Sequence, residues 1–224
     1  LEETLDYIKS NCNIPAVIFP GSVHQVSNKA DAILFLSLIS GRNPDLLIGN
    51  HVLSAPTIKK SGIEVIPTGY MLIDGGKPTA ASYVSNTFPL PNDKPKIAEV
   101  TALAGEMLGL RLNFLDAGSG AIKKVSKEMI QATAEGTTNP LIVGGGIKTA
   151  EGAKEAWDSG ATIVVIGNAI ETDPNIIREV SGNKKFPFPL KLKQARINSK
   201  EVKKDDIFFA IKGNKNDGNK FISQ

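Results

Sequence analysis

Residues 141–168, LIVGGGIKTAEGAKEAWDSGATIVVIGN, decide the fold. Leu141–Val143 is a short, continuously apolar run of the kind expected for a strand buried on both faces of a parallel sheet. Gly144, Gly145 and Gly146 follow it and lead into a helical pattern that Thr149 is able to cap. A second apolar run, Thr162–Ile166, then ends in Gly167 and Asn168. The two glycine loops therefore both follow strands and both open helices. Backbone without side chains can approach a ligand closely, and the N–H groups at a helix start face an anion. Adjacent strand-to-helix loops of this kind match the phosphate site of (β/α)8 barrels, which is built after strands 7 and 8.

Working outward, the same device recurs. Ala16–Phe19, Ala32–Leu36, Glu64–Pro67 and Leu112–Asp116 are further short apolar runs. PGS, SGRNP, PTGY and DAGSGA follow them in turn, where a barrel's ligand-facing loops would lie. Helical patterns cover Pro44–Lys60, Lys94–Leu108, Ser126–Glu135, Thr149–Ser159 and Asp173–Val180, with Ser126 and Thr149 as capping residues and Pro174 in a first turn. Strands alternating with helices make the chain α/β. Six units are two short of a barrel, so either the sheet is open or two strands lie upstream of Leu1. LEETLDYIKS reads as a helix already under way, with Leu1, Leu5 and Ile8 at helical spacing, and we expect a chain cut from a longer one.

Composition narrows the class. A hydrophobic content of 41% suffices for a core. The single Cys12 excludes an internal disulfide framework, suits a cytoplasmic location and has no motif around it. No apolar run approaches the roughly 18–20 residues of a membrane span, although contact with a membrane surface stays open. Residues 1–183 carry 15 basic and 19 acidic side chains, whereas residues 184–224 carry 11 basic and 4 acidic ones. The tail's lysines alternate with apolar and acidic residues, which reads as a solvated face and not as a nucleic-acid contact.

Chemistry concentrates near the strand ends. Asp116, closing LNFLD, would project into the ligand-facing pocket where a general base sits, and the following Gly118-Ser119-Gly120 offers N–H and hydroxyl donors. An Asp capping its own loop would look the same. Tyr70, read as lying just beyond the third strand, can hydrogen-bond a polar substrate while its ring lines an apolar wall. Packing alone would also place a tyrosine there. His24 and His51 have no Cys or carboxylate at ligand spacing and read as surface or core residues.

In order along the chain, FPGS, AILFLSLISGRNPDLLIGNH, EVIPTGYMLIDGG, SNTFPLP, FLDAGSGA, PLIVGGGIKT and VVIGNAIE resemble the geranylgeranylglyceryl phosphate synthase family, its second group above all. The resemblance implies an incomplete (β/α)8 TIM barrel with strands 3–8 present over residues 1–183. It implies a prenyltransferase that joins a prenyl diphosphate, such as geranylgeranyl diphosphate, to the C3 hydroxyl of sn-glycerol 1-phosphate with Mg2+, in a full-length form that is a homo-oligomer. By the same resemblance Asp116 and Tyr70 are catalytic. Phe114, Leu115, Asp116, Ala117, Gly118, Ser119, Gly120, Gly145, Gly146, Gly167 and Asn168 hold glycerol 1-phosphate, and an apolar groove takes the prenyl tail.

Two departures from the family pattern stand out. The family usually shows Tyr-Leu-Glu where this chain has Phe114-Leu115-Asp116, which shortens the carboxylate by a methylene and removes a hydroxyl. The family's magnesium aspartate would lie upstream of Leu1, so none of the residues present is assigned to the metal and weak or no turnover is expected. From about Arg196, INSKEVKKDDIFFAIKGNKNDGNKF resembles the opening of a Mur ligase that adds D-alanyl-D-alanine, making residues 184–224 a short unrelated tail. A ligase reading of the whole chain lacks the P-loop such an enzyme needs. An aldolase or isomerase barrel lacks a suitably placed lysine or carboxylate pair. A phosphate-ester-binding half-barrel without chemistry, or a misjoined fragment, is the alternative to the enzyme.

Overall fold

The computed structural model describes residues 1–183 except Cys12, Ile14 and Pro174, together with residues 195–196 and 207–208. Six strands, β1 (Val17–Ile18), β2 (Ala32–Leu38), β3 (Glu64–Leu72), β4 (Leu112–Asp116), β5 (Leu141–Gly144) and β6 (Ile163–Val165), form one sheet in sequence order. All neighbouring pairs are parallel. The sheet curls into part of a barrel with helices on its outer side, as expected for an incomplete (β/α)8 fold. The helices are α1 (Glu2–Asn11), α2 (Asn50–Ser61), α3 (Ala80–Ser85), α4 (Pro95–Met107), α5 (Lys127–Gly136), α6 (Ala150–Asp158), α7 (Asn168–Thr172) and α8 (Ile176–Asn183). β7 (Ala195–Arg196) and β8 (Ile207–Phe208) are a separate parallel pair. The readings made for Cys12, Pro174 and the rest of the tail lie outside the described residues.

The period-2 pattern of the strands sorts their side chains onto two faces. Met71, Leu115, Val143 and Val164 point outward and pack with Ala98, Ala102, Met129, Ala153 and Ala156. Alanines on α4 and α6 let those helices lie close to the sheet. Leu34, Leu112, Phe114 and Ile142 point inward, with Leu36, Ile66 and Tyr70 against them. Ser126 and Thr149 do cap α5 and α6, accepting from the N–H groups of Met129 and Gly152.

Three local readings need correction. β3 does not stop at Pro67 but continues through Leu72, so Tyr70 lies within the strand, opposite Phe114, and not in a loop beyond it. The proline is tolerated because its carbonyl accepts from Arg111 N at 2.8 Å, just before β4 begins, and the N–H it lacks would have met no strand. The helix read from Pro44 opens instead as a π-helical turn, Asp45–Gly49. There the Leu47 carbonyl accepts from Ser37 Oγ at 3.4 Å, a side-chain insertion of the kind that widens a turn. α8 begins at Ile176, because Asp173 Oδ1 takes the Asn175 N–H at 2.9 Å and holds the chain in a turn first.

Leu115 and Met129 are both 0% exposed in the outward-facing core. Truncating either to alanine should cost about 2–5 kcal/mol of stability. The urea midpoint reads this directly, and a loss under about 1 kcal/mol would show that this core does not hold the helices to the sheet.

Candidate active site

Asp116 ends β4, and both of its carboxylate oxygens are held. The Tyr70 hydroxyl donates to Oδ2 at 2.5 Å, and the Gly118 N–H donates to Oδ1 at 2.7 Å. Tyr70 reaches it diagonally from β3, because Phe114 is its direct neighbour and Asp116 lies two residues further on the same face. Burial raises the proton affinity of Asp116 above that of an ordinary carboxylate, and the Tyr70 and Gly118 hydrogen bonds hold that rise back. Burial likewise pushes the Tyr70 phenol well above its ordinary range, reinforced by the Asp116 charge and by the hydrogen bond between them. The phenol therefore stays neutral and able to donate to Asp116. Phe114 and Tyr70 meet edge to face at 5.4 Å, and Phe19, just past β1, closes the group at 5.8 Å from Tyr70 and 5.6 Å from Phe114. One wall of the site is thus aromatic, directly beside a carboxylate.

The loops after β4, β5 and β6 converge. Ala117 N donates to Gly144 O at 3.0 Å, tying the β4 loop to the end of β5. A Cβ on Gly145 would stand 2.5 Å from Gly118 N, and Gly145 has φ +81°, so only glycine allows this approach. From the β6 loop, Asn168 Oδ1 accepts from Ser119 Oγ and Gly120 N, both at 3.0 Å. The structure brings Asp116–Gly120, Gly145 and Asn168 into one cluster. Gly146 lies at its flank, against the backbone of Lys123 and Lys124, and Gly167 faces open space. Leu115 and Ala117 send their side chains into the outward-facing core, so they serve the site through backbone alone.

Two features were not legible beforehand. Phe19 reads from sequence only as the end of the first apolar run and part of FPGS, yet it completes the aromatic wall. The segment Gly75–Thr79 lies across the β4 loop: a Cβ on Gly75 would meet Ala117 O at 2.5 Å, and one on Gly118 would meet Thr79 Cγ2 at 2.6 Å. Gly75 O accepts from Ile122 N and Lys123 N, both at 2.9 Å, and fixes this strap to the loop beneath it. The glycines of IDGGK were the available signal.

His24 is exposed, whereas His51 is buried edge-on against Phe35 with Ser37 Oγ 3.1 Å from its Nε2. Among the described residues no three His, Cys, Asp or Glu side chains are grouped to hold a metal ion.

With this geometry in place, comparison with known proteins is specific. The PcrB family model matches residues 1–184. The chain belongs to the PcrB family. It is 58% identical over 181 residues to a geranylgeranylglyceryl phosphate synthase of Chitinophaga pinensis, covering 81% of this chain and 72% of that one. The corresponding enzyme of Spirosoma linguale is 52% identical over 180 residues, covering 80% and 72%. Among solved structures, (S)-3-O-geranylgeranylglyceryl phosphate synthase of Thermoplasma acidophilum, in complex with its substrate sn-glycerol-1-phosphate, superposes with a TM-score of 0.74. That match is at 34% identity and covers 80% of this chain and 72% of that one. Among the described residues of this PcrB-family chain, no helix is long and apolar enough to cross a membrane.

Two predictions follow from the cluster. Gly145→Ala should separate the β4 and β5 loops, and amide chemical shifts of Ala117–Gly120 should move while those of α1 stay. Tyr70→Phe removes a bond that holds the Asp116 pKa down, so the carboxyl should titrate at higher pH than in the parent chain. Carbon-detected NMR of the aspartate carboxyls reads this; a downward shift would mean that Tyr70 acts on Asp116 through burial alone.

Proposed function

We propose that this chain is a prenyltransferase of the geranylgeranylglyceryl phosphate synthase type, whose β4, β5 and β6 loops hold sn-glycerol 1-phosphate. The observation that carries this reading is the Asp116 carboxylate, fixed by Tyr70 and Gly118 beside the converging glycine loops. The N–H groups of Ser119, Gly120, Gly145–Gly146 and Gly167–Asn168 surround the acceptor's phosphate, while that of Gly118 stays on Asp116. Asn168 Oδ1 now occupies the Ser119 hydroxyl and Gly120 N–H, so its side-chain amide turns its N–H2 toward the phosphate and frees both donors. α7 is short, and the attraction here comes from individual N–H groups more than from a macrodipole.

Asp116 accepts the proton of the glycerol C3 hydroxyl as its oxygen forms a bond to C1 of the allylic chain. The C1–O bond to diphosphate breaks, and the electron pair leaves with diphosphate. The raised proton affinity of Asp116 makes it a better base than a solvated aspartate. Phe19, Tyr70 and Phe114 keep water from the reacting oxygen and offer π faces to the positive charge that develops on the allylic carbons. By the same family resemblance an apolar groove takes the prenyl tail. Magnesium belongs to the proposed reaction by resemblance only. Assembly of copies, a cytoplasmic location and a membrane surface for the lipid product belong to the same reading. Tyr83, Val84 and Phe88 around α3, 86%, 83% and 94% exposed, provide apolar surface for such contacts.

The test is transfer of the prenyl group from geranylgeranyl diphosphate to radiolabelled sn-glycerol 1-phosphate, beside calorimetric binding of the acceptor alone. Asp116→Asn should lower the transfer rate by about 10²–10⁴-fold with little change in acceptor affinity. In the parent chain the rate should fall as pH drops through the raised Asp116 pKa, since only the carboxylate accepts a proton. Acceptor binding without transfer would favour the phosphate-binding half-barrel, and absence of binding would end both readings.

A further inference from the structure

The residues assigned above to the acceptor phosphate, Phe114–Gly120, Gly145, Gly146, Gly167 and Asn168, contain no cation. Asp116 gives them their only formal charge, and it is negative. A phosphomonoester carries close to two negative charges at neutral pH, with a second pKa near 6. Backbone N–H groups supply partial charges only, so a dianion beside a buried carboxylate calls for a full positive charge within a few ångströms. The cluster as described lacks one.

The Gly75–Thr79 strap supplies it. Its two ends are pinned, Gly75 against Ala117 and Thr79 against Gly118. Gly76 N–H is further held by Asp74 Oδ1 at 2.9 Å, and Thr79 caps α3. Lys77 lies between these fixed points. Its Nζ is 3.6 Å from where a Cβ on Gly120 would stand. Among the described residues Lys77 has neither a hydrogen bond nor an ion pair. Lys124, by contrast, is engaged with Glu155. An unpaired ammonium on a pinned backbone, facing the open side of Gly120, sits where the loop N–H groups need a counter-charge.

We infer that Lys77 binds the phosphate of the acceptor, bridging the strap to the β4 loop when the phosphomonoester is in place. This rests on the acceptor reading given above. Lys77 is exposed, so replacing its charge leaves the fold intact. Lys123, whose side chain lies against Gly76 and which among the described residues also has no ion pair, is the comparison for a general positive field.

The experiment titrates the full chain with sn-glycerol 1-phosphate, and separately with inorganic phosphate, by calorimetry between pH 5 and 8. Lys77→Met should weaken both ligands by roughly tenfold or more, as for loss of a charged hydrogen bond, while Lys77→Arg stays within about threefold. Affinity of the parent chain should rise with pH as the second phosphate proton leaves, and Lys77→Met should flatten that rise, which a merely structural role would not do. Thermal melting in the absence of ligand should be unchanged. Lys123→Met should cost less than about threefold. Equal affinity of Lys77→Met and the parent chain overturns the inference while leaving the acceptor reading in place. Equal losses at Lys77 and Lys123 overturn it in favour of a diffuse field. A parent chain that binds neither ligand removes the acceptor reading itself.

Discussion

A side chain at position 145 would place its Cβ 2.5 Å from the Gly118 nitrogen and 2.8 Å from both Ala117 N and Ala117 C. Those atoms belong to backbone and cannot move aside as the end of a flexible side chain would. The β4 and β5 loops therefore touch main chain to main chain, and this contact organises the rest. It brings Ala117 N onto Gly144 O, turns Gly118 so that its N–H meets Asp116, and leaves room above for the Gly75–Thr79 strap. Backbone from the segments after β3, β4 and β5 can approach this closely only where side-chain bulk is absent.

Asp116 is taken out of water, which disfavours its charge, and the two hydrogen bonds it accepts compensate only in part. Tyr70 is the adjustable element, because the same burial that raises the carboxyl also keeps the phenol neutral and able to donate. Neither residue would be set this way alone. Their contact depends on the strand register, which places Tyr70 beside Phe114 and two residues short of Asp116 on the same inward face. A slip of one residue in the β3–β4 pairing would send Tyr70 toward the helices and leave Asp116 with a single donor.

Much of this was legible in the sequence because both faces of the sheet are covered. Strands buried on two sides read as continuous apolar runs, and all six were located from that signal. Their ends were less certain where chemistry interrupts the pattern. Pro67 and Gly69 punctuate β3 as a turn would, and only the position of Arg111 at the start of β4 explains why the strand survives them. The π-helical turn at Asp45–Gly49 left no local mark, since it answers to Ser37 on a different element. The glycine loops pointed to a cluster at the strand ends, but not that Leu115 and Ala117 turn away from it or that Gly146 stands at its flank. Phe19 and the strap are long-range features; each acquires its meaning from residues about 40 or more positions distant. The family resemblance carried what periodicity could not, namely the substrate expected at the loops.

The family resemblance also marked two departures, Phe114 for a usual tyrosine and Asp116 for a usual glutamate, and the geometry shows how they belong together. A hydroxyl is still present beside the carboxylate, but it comes from Tyr70 on β3 and not from position 114 on β4. Phe114, freed of a polar tip, stands edge-on to Tyr70 and Phe19 and is almost fully buried, at 4% exposure. A polar atom at the tip of that ring would need a partner of its own in the aromatic group. The shorter Asp116 suits the same arrangement. With one methylene fewer it has less rotamer freedom, and Tyr70 and Gly118 between them fix both oxygens. What the side chain gives up in reach it gains in orientation, because the position of its carboxylate is already set.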